Sequence, residues 1–180
     1  MKKRVLITMA ASATLLLAGC GNDQKEDKNI TVSLPTGAKA DKLDAQGYDA
    51  AMPVYSAVYD ALVKYDKDKG VKAGLAEKWH VDESGKVYEF HLKKNVKFSD
   101  GSALDAKAVK FSIERAKAMN KDTTVETLKK LDKVVVKSDH VVQIRLKSPS
   151  NQVLNELTQV RPLRIMSPHS VEGNKVTGKF

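Results

Sequence analysis

The chain has 180 residues, 42% of them hydrophobic and 29% charged, with one cysteine and a formal net charge of +9. That length holds one domain with a sizeable core, or a piece of something larger. The composition excludes collagen-like, low-complexity and broadly disordered chains, and a lone cysteine excludes a disulfide framework.

The N-terminus reads as an address. Lys2, Lys3 and Arg4 form a positive n-region, an apolar run follows from Val5 to Ala18, and small residues precede Cys20. The run is shorter than the roughly 20 residues of a membrane span and has the order of a secretory signal peptide. Leu17-Ala18-Gly19-Cys20 resembles a bacterial lipobox, which implies cleavage before Cys20 and lipid on it. The alternative is an ordinary signal peptide in which Cys20 is incidental. Residues 1–19 are therefore expected to be a lipoprotein signal peptide. Residues 20–29 are expected to be a flexible tether, because they are polar and lack apolar periodicity. Residues 30–180 are the expected folded part, outside the cytoplasmic membrane. Each buried CH₂ of an acyl chain contributes about 0.8 kcal/mol, so two or more chains anchor a protein firmly.

Residues 30–34 alternate apolar and polar before Pro35, which predicts a short strand. Pro53 can open a helix, and Tyr55, Val58, Tyr59, Leu62 and Val63 fall on one face of it. Residues 66–70 form a charged turn. A strand begins near Trp79 and His80, Ser84-Gly85 turns the chain, and residues 87–93 form the clearest strand, with Tyr88, Phe90 and Leu92 on one face. Asp100-Gly101 marks another turn. Asp105 is suited to cap a helix that buries Val109, Ile113 and Ala116, with Phe111 on its flank. Thr123 and Glu126 have capping-box spacing, followed by Val125, Leu128 and Leu131 facing inward. Residues 134–136 and 141–146 read as a hairpin across Ser138-Asp139, and Ser150 can cap a short helix carrying Val153, Leu154 and Leu157. Strands and helices mix without strict βαβ alternation, which predicts a mixed α+β or complex α/β fold.

Chemistry is sparse. There is no G-x-S-x-G, Walker A, G-x-G-x-x-G or H-E-x-x-H motif, so no local pattern argues for an enzyme. His80, His91, His140 and His169 show no helical metal-ligand spacing; they are surface or packing residues, with metal ligation left open. The lysines are spread along the chain and no nucleic-acid-reading motif is visible, so a nucleic-acid partner is not expected. Arg161 and Arg164 stand in a mostly apolar stretch. A desolvated arginine needs a partner anion, either an internal Asp or Glu or a ligand carboxylate, and the residues alone leave both open.

Several motifs in order resemble the solute-binding proteins of bacterial peptide and nickel ABC importers (family 5). They are Val58-Tyr59-Asp60-Ala61-Leu62-Val63, Leu75-Ala76-Glu77-Lys78-Trp79, Gly85-Lys86-Val87-Tyr88-Glu89-Phe90-His91-Leu92, and the stretch from Lys93 through the Asp105-Ala106-Lys107 helix start. Ser84-Gly85 departs from the family's usual Asp-Gly. Arg161-Pro162-Leu163-Arg164-Ile165-Met166-Ser167-Pro168 resembles a segment of the nickel-type branch.

The resemblance implies the N-terminal part of a two-lobed, periplasmic-binding-protein-like fold. It implies a non-catalytic, lipid-anchored receptor that captures nickel or a related metal–chelate complex and delivers it to an ABC permease in the cytoplasmic membrane. No cofactor is expected; the metal chelate is cargo. Arg161 is the implied clamp on a chelator carboxylate, and Met52 and Tyr48 are implied pocket residues. Lys121 stands where some nickel binders carry a second arginine, and lysine offers a point charge and not a fork. The chain stops just before the family's usual Gly-Thr-Gly-Pro turn, so the resemblance covers about the first third of such a receptor. The rival expectations are a receptor for short peptides and a truncated, non-transporting surface protein.

Overall fold

The structure is a computed structural model that describes Ser33 and residues 43–48, 52–173 and 175–177. Contacts divide the chain into a unit of residues 1–34 and a unit of residues 35–180, and the second is described here. The signal peptide, Cys20, the tether and the strand expected at 30–34 (Ser33 apart) lie outside the described residues.

The centre of the unit is a four-stranded antiparallel sheet in the order β3-β4-β6-β5, built from β3 (Ala76–Val81), β4 (Val87–Leu92), β5 (Leu131–Ser138) and β6 (Val141–Leu146). Alternation sets its register. Tyr88 pairs with Ile144 and Phe90 with Val142, so the apolar face of β4 continues onto β6. Asp82 closes the β3–β4 turn by accepting from the Lys86 and Val87 backbone N–H groups at 3.0 and 2.9 Å. Gly85, at φ +65°, takes the left-handed position that this turn needs.

Helix α2 (Ala106–Met119) lies on the apolar face of the sheet, and its Val109, Ile113 and Ala116 are buried as expected. Its N-cap is Asp105, whose carboxylate accepts from Ala108 N at 2.8 Å. Each fully buried Leu, Ile, Val or Phe in such a core contributes about 1.5–3 kcal/mol. Phe90, Ile113, Leu128 and Ile144 are among the largest of them.

The structure corrects the expected helix from Pro53 to Val63. Helix α1 is Met52–Val58 only, and the chain then becomes β1 (Val63–Asp66), which pairs with β2 (Gly70–Ala73) across the charged turn. Two attachments end the helix. Asp60 bridges to Ile165, and the carbonyls of Ala61 and Leu62 accept from Leu75 and Ala76 N at 2.9 Å. Tyr55 and Tyr59 pack in a small cluster with Ala45 and Met166, whereas Leu62 and Val63 enter the main core. One straight helical face could not serve both.

Two caps also differ from expectation. Helix α3 (Glu126–Lys130) has Val125 at its N-cap with no side-chain cap; Thr123 Oγ1 accepts from Val125 N instead. Glu156, in α4 (Val153–Leu157), reaches across to accept from Glu126 and Thr127 N, both at 2.7 Å. The N-cap of α4 is Gln152, and Ser150 Oγ accepts from its backbone N–H. A short 3-10 turn, Pro168–Ser170, leads into a last small hairpin of β7 (Val171–Glu172) and β8 (Lys175–Val176).

Candidate functional site

Tyr48 lies in residues 43–48, which have no regular secondary structure and are held by side chains. Asp44 takes two contacts from Arg115 of α2, at 2.5 and 2.6 Å. Gln46 is fully buried; its Oε1 accepts from Arg115 at 2.8 Å and its Nε2 donates to the Arg164 carbonyl at 2.9 Å. Asn120, at the end of α2, donates to the Gln46 carbonyl at 3.0 Å. Together they fix where the chain presents Tyr48.

Arg161 meets that segment from the opposite end of the sequence. Its guanidinium carbon lies 5.0 Å from the Tyr48 ring centroid and 5.9 Å from that of Tyr55, and its Nη1 donates to the Tyr48 carbonyl. Cation–π contact of this kind holds a guanidinium plane in place and contributes roughly 0.5–2 kcal/mol. Tyr55 is fully buried, with its ring 6.3 Å from that of Tyr59. The arginine is thus braced by two rings, the buried Tyr55 and the half-exposed Tyr48. The Arg161–Pro162 peptide bond is cis.

Burial raises the pKa of the Tyr48 phenol, opposed by a hydrogen bond with Thr123 and by the charge of Arg161. Burial likewise raises that of Tyr59, whose hydroxyl donates to the Leu43 carbonyl at 2.5 Å. Both phenols stay neutral near pH 7 and act as donors, acceptors and π surfaces, not as bases.

The expected residues are placed as follows. Tyr48 and Arg161 are in contact. Met52 is the first residue of α1, exposed, and three residues before Tyr55, which puts the two on one side of the helix. Lys121 lines a cavity of about 590 Å³ together with Tyr48, Asn120, Asp122 and Thr123. Arg161 thus lies over the Tyr48 ring, and Lys121 lines the cavity that Tyr48 borders, beside the opposite charge of Asp122. The sequence reading did not find Asp44, Gln46, Arg115 or Tyr55 as parts of this site. Arg115 lies between Glu114 and Ala116 in α2, a context that gave no local signal, and its partner lies 71 residues away. Among the described residues, no three His, Cys, Asp or Glu side chains gather into a metal cage.

Residues 70–177 match the model for bacterial extracellular solute-binding proteins, family 5 (Middle). The chain is 31% identical over 176 residues to the nickel-binding periplasmic protein of Escherichia coli K12, covering 96% of this chain and 32% of that one. It is 34% identical over 152 residues to the glutathione-binding protein GsiB of Salmonella paratyphi A, covering 81% of this chain and 28% of the relative. Its fold superposes, with a TM-score of 0.72 and 31% identity, on the crystal structure of NikA from Brucella suis in complex with Fe(III)-EDTA, over 76% of this chain and 28% of that one. The chain thus spans about a third of the length of the relatives it matches. The mixed α/β lobe is that of periplasmic-binding-protein-like structures, and the family is one of binding proteins, not catalysts. The chain belongs to the bacterial extracellular solute-binding proteins of family 5.

Proposed function

We propose that this chain is the N-terminal part of the substrate-binding component of an ABC importer, and that its cargo is nickel or a related metal held in a small carboxylate-bearing chelate. Residues 1–19 act as the lipoprotein signal peptide, 20–29 as the tether behind a lipidated Cys20, and 30–180 as part of the first lobe. The receptor is held outside the cytoplasmic membrane and delivers its cargo to a membrane permease.

The observation that carries the reading is Arg161 laid against the rings of Tyr48 and Tyr55. A planar guanidinium held in this way is preorganised for a carboxylate, which it can grip with two parallel hydrogen bonds. The chelator's carboxylate is the handle, Met52 and Tyr48 line the wall around it, and Lys121, next to Asp122, borders the adjoining cavity. The metal needs no protein cage on this reading, since the chelator supplies its ligands. The Escherichia coli relative, a nickel-binding protein, and the Brucella relative, seen in complex with Fe(III)-EDTA, support this class of cargo.

A receptor for short peptides is the second reading. It is favoured by the 34% identity to a glutathione-binding protein, and a peptide's C-terminal carboxylate would meet the same arginine. Equilibrium dialysis of nickel with histidine against di- to pentapeptides separates the two. Retention of the nickel–histidine complex, lost in Arg161→Ala while the circular dichroism spectrum stays unchanged, is the expected result. Retention of peptides alone would establish the second reading.

A further inference from the structure

Arg164 solves its charge problem differently from Arg115. Arg115 meets a carboxylate through both terminal nitrogens. Arg164 is only 9% exposed, yet among the described residues no carboxylate forms an ion pair with it. Its single side-chain hydrogen bond there runs from Nε to the Val160 carbonyl, at 3.2 Å. Burial lowers its pKa against the opposing pull of the Asp60 charge.

The side chain lines a cavity of about 470 Å³ between α1, the start of β1 and the turn after α4, with Ser56, Asp60, Lys64, Tyr65 and Thr158 around it. Asp60 is already committed. Its Oδ1 accepts from Ala61 N at 2.8 Å, and its Oδ2 pairs with Lys64 Nζ at 2.9 Å. Arg164 and Lys64 against Asp60 leave one positive charge uncompensated at this cavity. A guanidinium taken from water without a counter-charge is costly, and its planar fork fits a carboxylate. The space is far more than one water needs and lies within the range of about 300–1,000 Å³ typical of small-molecule sites.

We propose that this cavity is a second carboxylate site, separate from Arg161, in which Arg164 and Lys64 together hold one carboxylate group. The surplus of a single charge favours a monoanionic carboxylate head over phosphate. Helix α1 separates the two sites, sending Tyr55 toward Arg161 and Ser56 to Val58 toward Arg164. The carboxylate can come from a free small acid or from an Asp or Glu side chain of polypeptide outside the described residues.

The test is nitrogen-15 NMR of the arginine guanidinium groups in the whole chain, titrated with succinate and, separately, inorganic phosphate. Through-bond assignment from the backbone identifies the Arg164 signals, so the test does not depend on a variant that folds poorly. Saturable slowing of rotation at the Arg164 terminal nitrogens by succinate, retained in Arg161→Ala and weakened about tenfold or more in Arg164→Lys, supports the site with a free acid as its ligand. Rotation already slow without additive and indifferent to succinate supports it with a polypeptide carboxylate as the source. Fast rotation throughout overturns the proposal. So does a response that disappears in Arg161→Ala, or phosphate binding more tightly than succinate.

Discussion

Arg115 and Asp44, 71 residues apart, meet through two contacts of 2.5 and 2.6 Å, and this pair ties the segment that presents Tyr48 to helix α2. Both side chains are largely withdrawn from solvent, at 11% and 20% exposure. Removing one partner leaves the other desolvated without its counter-charge.

Arg115→Ala is therefore expected to lower stability by about 2–4 kcal/mol in urea unfolding. Asp44→Ala should do nearly the same. The double variant should cost much less than the sum, with a coupling energy of about 1–3 kcal/mol. Independent, additive effects would show that the contact carries no energy of its own.

Glu156 caps α3 from another helix, through two backbone N–H groups. Glu156→Ala should cost about 1 kcal/mol, the usual worth of an N-cap, whereas Thr123→Ala should cost less. Thermal unfolding of both variants checks the order. A larger loss from Thr123→Ala would restore the local capping box.

Asp100 ties the loop after β4 to the stretch before the 3-10 turn by accepting from the Ser102 and Ser167 hydroxyls, each at 2.5 Å. Those hydrogen bonds, with one from Ser102 N, hold its pKa below the ordinary carboxylate range, at about 2. Because the folded value is depressed, its stabilising effect is present above about pH 4 and is lost as the pH falls toward 2. Unfolding measured across that window should show a shallower acid limb in Asp100→Asn. An unchanged slope would mean that Asp100 titrates alike in the folded and unfolded chain.

Gly74 has no room for a side chain. A Cβ there would lie 2.4 Å from the Ala61 carbonyl oxygen and 2.8 Å from that of Leu62. These are backbone atoms of the segment that carries the chain from α1 into β1, so neither yields easily. Gly74→Ala should lower stability by about 2 kcal/mol or more, while Gly70→Ala, where nothing lies within 4 Å, should cost only what its positive φ demands. Equal losses at both positions in urea unfolding would contradict this.

What was legible in the sequence follows a physical divide. Elements whose burial depends on local period were readable, such as the Tyr88-Phe90-Leu92 face, the Val142-Ile144-Leu146 face and the Asp105 cap. The helix from Pro53 was overextended because Leu62 and Val63 keep helical spacing while long-range hydrogen bonds from Leu75 and Ala76 draw the chain straight. Strand β3 escaped full recognition because much of it is exposed and charged, and only Trp79 signalled it. At the candidate site, Arg161 and Tyr48 were named from family motifs. The braces that hold them, Asp44, Gln46, Arg115 and Tyr55, are joined by contacts that no local spacing encodes.

The most direct test of the central claim, that Arg161 and Tyr48 receive the carboxylate of a metal chelate, uses the paramagnetism of nickel. The nickel–histidine complex is titrated in excess into the labelled chain, which as part of one lobe is expected to bind it only weakly, and line broadening is mapped residue by residue. Broadening centred on Tyr48, Met52 and Arg161, and abolished in Arg161→Ala, is the predicted result. Broadening centred instead on His80, His91, His140 or His169, or unchanged by Arg161→Ala, would contradict it.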